Sequence, residues 1–114
     1  MTMWDLSFDT PDTLTPGLLI YQVTNRGEEA HEMVFLLLAG EKMWKDVMAF
    51  LLTPQASTFP GSIVGGMSAL GPGKTAWVGK DLAPGTNVIL CFLPDKNRCI
   101  LHVQLGIIHS ITVR

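Results

Sequence analysis

The chain has 114 residues, of which 47% are hydrophobic and 16% are charged, and its formal net charge is −2. A chain of this length forms a single domain, over residues 1–114, and buries roughly 65% of its unfolded surface, which is enough for a core without disulfide support. The scattered charges offer no basic face for nucleic acid, and no apolar run reaches the roughly 20 residues that span a bilayer.

Short apolar runs alternate with turn signals along the chain and predict an all-β protein. The turns contain Gly, Pro, Asn or Asp and recur about every ten residues. The runs between them are, in order, "LLIYQVTN", "HEMVFLLL", "TAWVGKDL", "NVILCFL", "CILHVQL" and "IHSITVR". Strands of this length and spacing indicate an antiparallel Greek-key β-sandwich of about seven or eight strands.

One segment, after the second of these runs, has the periodicity of a helix instead. Four apolar residues lie there at helical spacing, with Lys and Asp between them: Met43, Val47, Phe50 and Leu51. This pattern predicts one short helical insertion near residues 41–52, which ends before Pro54. The next segment, over residues 53–66, reads as a loop that returns to the sheets.

The segment "GPGKT" at residues 71–75 resembles the end of a phosphate-binding loop but lacks the rest of the motif. That motif requires a glycine where Ser68 stands, and a helix where the strand-like "AWVGK" follows. The segment is therefore predicted to be a plain turn rather than a nucleotide site.

Three side chains suggest a metal site when they are considered together. His31 begins an apolar run, Cys91 ends another, and His102 lies in the next. Each has an ordinary explanation by itself, because a lone histidine is usually structural and a buried thiol is usually a small hydrophobe. However, one thiolate and two imidazoles at strand ends form the trigonal set that suits copper, whereas a zinc site ordinarily has a fourth ligand.

These motifs give the chain a resemblance to the cupredoxins, the blue-copper proteins. Bacterial cupredoxin-like domains follow the pattern "PG…V.N.G…HE.V", then "GG…L.PG", then "DL.PG.Y.L.CF.PD…H…GM…V". Here the corresponding segments are "TPGLLIYQVTNRGEEAHEMVF", "VGGMSALGPGKTAWVGKDLAPGTNVILCFLPDKNRCILHVQLGI" and "ITVR". The resemblance covers almost the whole chain, and its specificity comes from the order and spacing of the motifs.

The resemblance implies one type 1 copper ion bound by His31, Cys91 and His102. The chain departs from the pattern at the axial methionine, where Ile107 stands, and in a minor way at Asn87, where the family usually has an aromatic residue. Either the copper is three-coordinate, as in laccase-type centres, with a raised reduction potential, or the site has lost its metal. Three intact ligands favour the first interpretation.

Several other residues also bear on the interpretation of the site. Met33 lies on the same face of its strand as His31, so its sulfur could replace the missing axial ligand. Met67, which follows the "VGG" segment, is a second candidate for this role. Cys99 has no counterpart in the family, and a disulfide between Cys91 and Cys99 would abolish the thiolate ligand. Two further residues are assigned by pattern alone: His109 to the surface of the last strand and Trp77 to the core.

By resemblance, the expected function is one-electron transfer rather than enzymatic catalysis. Redox partner proteins would dock on a small apolar patch around His102, formed by Leu93, Pro94 and Leu105. The family implies a periplasmic or other extracytoplasmic location, although the N-terminal "MTMWDLSFD" does not have the pattern of a signal peptide. The alternative is a metal-free cupredoxin-like domain that serves as an interaction or accessory module of a larger membrane-associated or redox complex.

Overall fold

Two β-sheets pack face to face in the computed structural model, which describes residues 1–5, 7–52, 58–95, 101–105 and 107–114. In chain order the strands are β1 (Thr2–Met3), β2 (Phe8–Asp9), β3 (Thr13–Leu14), β4 (Gly17–Asn25), β5 (His31–Leu38), β6 (Gly61–Leu70), β7 (Thr75–Leu82), β8 (Gly85–Leu90) and β9 (Ile108–Val113). Helix α1 (Trp44–Leu52) lies between β5 and β6, and a short 3-10 helix (His102–Leu105) precedes β9.

The strand order explains how distant segments meet. One sheet has the order β2-β1-β4-β7, and the other has the order β3-β9-β8-β5-β6. In the second sheet β8 lies between β5 and β9, antiparallel to both, so the ends of β5 and β8 come together although about 50 residues separate them. The prediction of an all-β Greek-key sandwich is confirmed.

The main core lies between the sheets and draws side chains from both. Its fully or almost fully buried members include Val23 and Val78 from the first sheet, and Met33, Phe35 and Ile111 from the second. A second cluster lies on the other face of β5 and β8, where α1 covers it with the buried Val47. Because both faces of β5 are covered, its sequence "HEMVFLLL" is a nearly continuous apolar run.

Several predicted elements match the structure closely. The run "HEMVFLLL" is β5 from end to end, "TAWVGKDL" is β7, and "GPGKT" forms a turn in which the Lys74 amide donates to the Gly71 carbonyl before β7 begins. The predicted helix is present over Trp44–Leu52, and it begins three residues later than the pattern indicated. Residues 53–57, which include Pro54, lie outside the described part of the chain.

Two secondary-structure predictions are wrong. Residues 61–66, assigned to a loop, begin the ten-residue strand β6. Its glycines are what the pairing requires, because a Cβ at Gly61 or Gly66 would overlap a backbone carbonyl of β5. The run containing His102 is not a strand over its described residues, since the backbone there forms a 3-10 helix.

The prediction that Trp77 belongs to the core is also wrong, because its side chain is 68% exposed. Side chains alternate along β7, and Val78 and Leu82 occupy the inward face. Trp77 therefore points outward. His109 is partly buried on β9, and its Nε2 lies 3.0 Å from Asp12 Oδ1.

Candidate metal centre

Cys91 is held in place directly after β8 by the segment that follows it. The Val103 amide donates to the Cys91 carbonyl at 2.8 Å, and the His102 amide donates to the Leu93 carbonyl at 2.8 Å. These bonds fold the start of the 3-10 helix back onto the end of β8. As a result, His102 lies beside Cys91 in the structure, although it follows Cys91 by eleven residues in the sequence.

His31 reaches the same place through the pairing of β5 with β8. Val34 is paired with Leu90, so the first residue of β5 lies beside the residues that follow β8. The neighbouring Glu32 fixes this arrangement twice: its amide donates to Cys91 Sγ at 3.4 Å, and its carboxylate accepts the Phe92 amide at 3.1 Å. The thiol is therefore tied to β5 by its sulfur and by the next backbone amide.

The three predicted ligand residues converge in the structure, with their ligand atoms all within 4.8 Å of one another. Cys91 Sγ lies 3.5 Å from His102 Nδ1 and 4.0 Å from His31 Nδ1, and none of the three side chains is exposed. With ordinary metal–sulfur and metal–nitrogen bond lengths, a trigonal centre separates sulfur from nitrogen by about 3.8 Å. The observed separations bracket this value, so the donor set fits a metal ion.

Each imidazole presents its Nδ1 to the sulfur and its Nε2 to acidic residues. His31 Nε2 lies 3.0 Å from Asp5 Oδ1, and His102 Nε2 lies 3.5 Å from Glu29 Oε1 and 3.8 Å from Asp95 Oδ1. Metal-binding histidines commonly have a carboxylate or carbonyl on the nitrogen remote from the metal. Both rings therefore have the orientation of metal ligands.

Comparisons with known proteins place this arrangement in a recognised fold. No protein-family model matches the chain, and no curated protein matches it significantly by sequence. Among solved structures, it is similar to dithionite-reduced auracyanin from the photosynthetic bacterium Roseiflexus castenholzii, with a TM-score of 0.59 and 22% identity over 99% of this chain and 96% of that one. The fold is that of a cupredoxin.

Two further cupredoxin structures support this assignment. Auracyanin A from Chloroflexus aurantiacus, described as a "blue" copper protein, gives a TM-score of 0.57 and 18% identity over 100% of this chain and 98% of that one. Rusticyanin from Thiobacillus ferrooxidans gives a TM-score of 0.54 and 18% identity, covering 90% of this chain and 60% of rusticyanin.

Within this cupredoxin fold, burial raises the pKa of the Cys91 thiol, and the negative charges of Glu32 and Glu29 raise it further. Hydrogen bonds from the backbone amides of Glu32 and Leu93 oppose this effect only in part. The metal-free protein therefore holds a protonated thiol. Because the metal ligand is the thiolate, metal binding at this site must release a proton.

Two of the three residues proposed for the axial position are also buried. Ile107 and Met33 have no exposed surface, and both belong to the core cluster that contains Cys91. The Ile107 amide donates to the His102 carbonyl at 3.2 Å, which keeps this residue close to the second histidine. Met67 is paired with Met33 across β5 and β6 and is partly exposed. Cys99 lies outside the described residues.

The predicted docking residues lie beside His102, but they do not leave it open to solvent. Pro94 is exposed, Leu93 and Leu105 are partly exposed, and His102 itself is fully buried. A surface depression next to the site is lined by Glu28, Glu29, Ala30, Pro72, Leu93 and Pro94. Two of the three predicted docking residues, Leu93 and Pro94, therefore line a depression that also has acidic side chains.

Sequence reasoning missed Asp5, Glu29 and Asp95 as neighbours of the histidines, and it also missed Asn25. The Asn25 side chain donates to the carbonyls of Glu29 and Leu70 and accepts the Gly27 amide, so it organises the loop before His31. The only available signal was the polar segment "NRGEE" before a candidate ligand.

None of the described helices is long and apolar enough to cross a membrane.

Proposed function

We propose that this chain binds one copper ion through His31 Nδ1, Cys91 Sγ and His102 Nδ1 and transfers single electrons. The observation that carries the proposal is the convergence of these three buried atoms at separations suited to a trigonal metal site. The similarity to auracyanin A, a blue copper protein, supports copper as the metal. Copper bound there would alternate between Cu(I) and Cu(II), giving or accepting one electron.

The chain contributes rigidity, orientation and exclusion of water. Backbone hydrogen bonds at the Cys91 and Leu93 carbonyls and at Cys91 Sγ hold the ligand-bearing segments together before any metal arrives. Because the donors are already close and fully buried, a change of oxidation state requires little rearrangement. In this proposal the residues hold the metal and the metal carries the electron, so the protein would act as an electron carrier.

Ile107 occupies the axial position in this proposal. Its side chain is buried and aliphatic, so it would supply no donor atom to a bound copper ion and would help to exclude water from it. Without a weak axial sulfur ligand, Cu(I) is favoured and the reduction potential is raised.

The electron would leave through the apolar patch of Leu93, Pro94 and Leu105. Leu93 accepts the His102 amide through its carbonyl and Leu105 lies in the same 3-10 helix as His102, so a partner that docks on this patch would lie near the ligand. Small, weak interfaces of this kind are typical of redox encounters. The partners are proposed to be redox proteins in an extracytoplasmic compartment, as the cupredoxin fold suggests.

The first test is a titration of Cu(II) into reduced, metal-free protein, followed by visible absorption and electron paramagnetic resonance. A thiolate-to-copper charge-transfer band should appear at one copper per chain. It should disappear in Cys91→Ser and persist in Cys99→Ser.

His109 provides a matched control for the two histidine ligands, because it is the third histidine of the chain and lies on β9 beside Asp12. His109→Ala should keep the band, whereas His31→Ala and His102→Ala should lose or strongly alter it. If the wild-type protein gives no band while its fold and free thiols are intact, the electron-transfer proposal fails. The metal-free interaction domain would then be the better description.

A further inference from the structure

Asp5 lies between β1 and β2 of one sheet, and its side chain contacts His31, which begins β5 of the other sheet. Its Oδ1 lies 3.0 Å from His31 Nε2, the nitrogen that faces away from Cys91. The imidazole is fully buried, while the carboxylate is 34% exposed and lies at the rim of the site. An imidazole that donates from Nε2 has its lone pair on Nδ1. The contact therefore selects the tautomer in which Nδ1 can bind a metal.

The Asp5 carboxylate is itself held in place by the loop that precedes His31. The Glu28 amide donates to both carboxylate oxygens, at 2.8 Å and 3.0 Å, and the Glu29 amide donates to Oδ1 at 3.2 Å. These three backbone hydrogen bonds fix the position of the carboxylate, so Asp5 presents Oδ1 to the ring as an anchored acceptor.

Gly27 leaves the space that this contact needs. A Cβ added at this position would overlap Asp5 Oδ1 and lie 2.9 Å from His31 Nε2. The absent side chain therefore lets the carboxylate and the ring meet directly. The Gly27 amide is bound to Asn25 Oδ1 at 2.9 Å, which keeps the loop backbone in this position.

The second histidine, His102, has longer contacts at its Nε2 than His31 has. His102 Nε2 lies 3.5 Å and 3.8 Å from its two carboxylate neighbours, which is beyond ordinary hydrogen-bond distance, whereas the Asp5 contact is within it. Within the described part of the chain, His31 is thus the ring whose orientation is fixed by a short contact to an anchored carboxylate.

We propose that Asp5 is a positioning residue for the metal centre. Its carboxylate accepts the Nε2–H of His31, directs Nδ1 toward Cys91, and places a negative charge behind the ligand that favours Cu(II) over Cu(I). The inference deepens the proposed function and rests on it for the effect on copper. The effect on the imidazole tautomer does not depend on any metal.

Three variants separate the effect of Asp5 on the orientation of the His31 ring from the effect of its negative charge. Asp5→Asn retains an oxygen that can accept from the loop amides and from His31, but it removes the charge. Asp5→Ala removes both acceptor and charge, and Gly27→Ala keeps the carboxylate but displaces it. Asp9→Asn is the matched control, because it removes an exposed carboxylate from the neighbouring strand β2 without touching a histidine.

The first measurement uses metal-free protein at neutral pH and determines the His31 ring tautomer by nitrogen-15 NMR. The wild-type, Asp9→Asn and Asp5→Asn proteins should show His31 protonated at Nε2. Asp5→Ala and Gly27→Ala should show a mixture of the two tautomers. If Asp5→Ala folds and keeps the wild-type tautomer, the positioning role is refuted, whether or not the protein binds copper.

The second measurement compares the affinities for Cu(II) and Cu(I). Loss of a carboxylate that orients a histidine ligand commonly weakens metal binding by about 10- to 100-fold, and this loss is expected in Asp5→Ala. Asp5→Asn should lower the ratio of Cu(II) to Cu(I) affinity by about three- to tenfold, as expected for one partly screened charge near the metal. An unchanged ratio refutes the charge effect. Absence of copper binding by the wild-type protein refutes the proposed function and leaves the tautomer result standing.

Discussion

Replacement of Ile107 by methionine tests whether this residue occupies the axial position. Ile107 is fully buried in the core cluster that contains Cys91, and its amide is bound to the His102 carbonyl. Methionine has a similar volume and a flexible side chain, so it can fill the same space. If the side chain faces the copper, the substitution adds the weak thioether ligand that the chain lacks, and it leaves the other three donors unchanged.

The substitution is expected to lower the reduction potential measurably while the protein remains folded. A weak axial bond worth about 1–2 kcal/mol in the Cu(II) state lowers the potential by about 40–90 mV, since a tenfold change in equilibrium corresponds to about 59 mV for one electron. A volume-conserving swap in a core usually costs less than about 1.5 kcal/mol of unfolding free energy. The variant should therefore fold normally, with a melting temperature only a few degrees lower.

The assay is a potentiometric titration that follows the charge-transfer band, with Ile111→Met as the control. Ile111 is also fully buried in the same core cluster, but it lies within β9, away from the ligand-bearing loop. Ile107→Met should lower the potential and Ile111→Met should not. Equal potentials in the two variants and the wild-type protein would mean that Ile107 does not face the copper.

Four other predictions concern the fold itself. Tyr21 has a buried hydroxyl without a hydrogen-bond partner among the described residues, so Tyr21→Phe should leave the unfolding free energy at pH 7 unchanged or raise it by up to about 1 kcal/mol in chemical denaturation. Burial raises the pKa of Tyr21, so the folded state keeps a proton that the unfolded chain loses. Wild-type stability should therefore fall as the pH rises above about 10, and Tyr21→Phe should remove that part of the fall in melting curves. Phe35→Ala should cost about 3–5 kcal/mol because Phe35 is fully buried, whereas the exposed Trp77→Thr should change stability by less than about 0.5 kcal/mol in the same assay. A large loss in Trp77→Thr would contradict its outward orientation.

Local sequence patterns were sufficient to predict an element of the fold where one physical effect dominated its formation. The apolar run of β5 and the turn at residues 71–74 were predictable because burial on both faces and glycine-rich turn chemistry leave clear signals. Strand β6 was missed because its glycines look like loop residues in the sequence. Their role appears only when the backbone of β5 is seen to approach them. Trp77 was misplaced because an aromatic residue does not by itself show which face of a strand is inward.

The sequence by itself determined the fold class and the three candidate ligands, because strand periodicity and a thiol between two histidines are readable along the chain. Only the tertiary structure decided what surrounds those ligands. Asp5 is 26 residues from His31 and comes beside it through the packing of β1, β2 and the loop before β5. The complete burial of His102 has the same origin. Such contacts depend on how sheets and loops meet in three dimensions, and no local pattern records that.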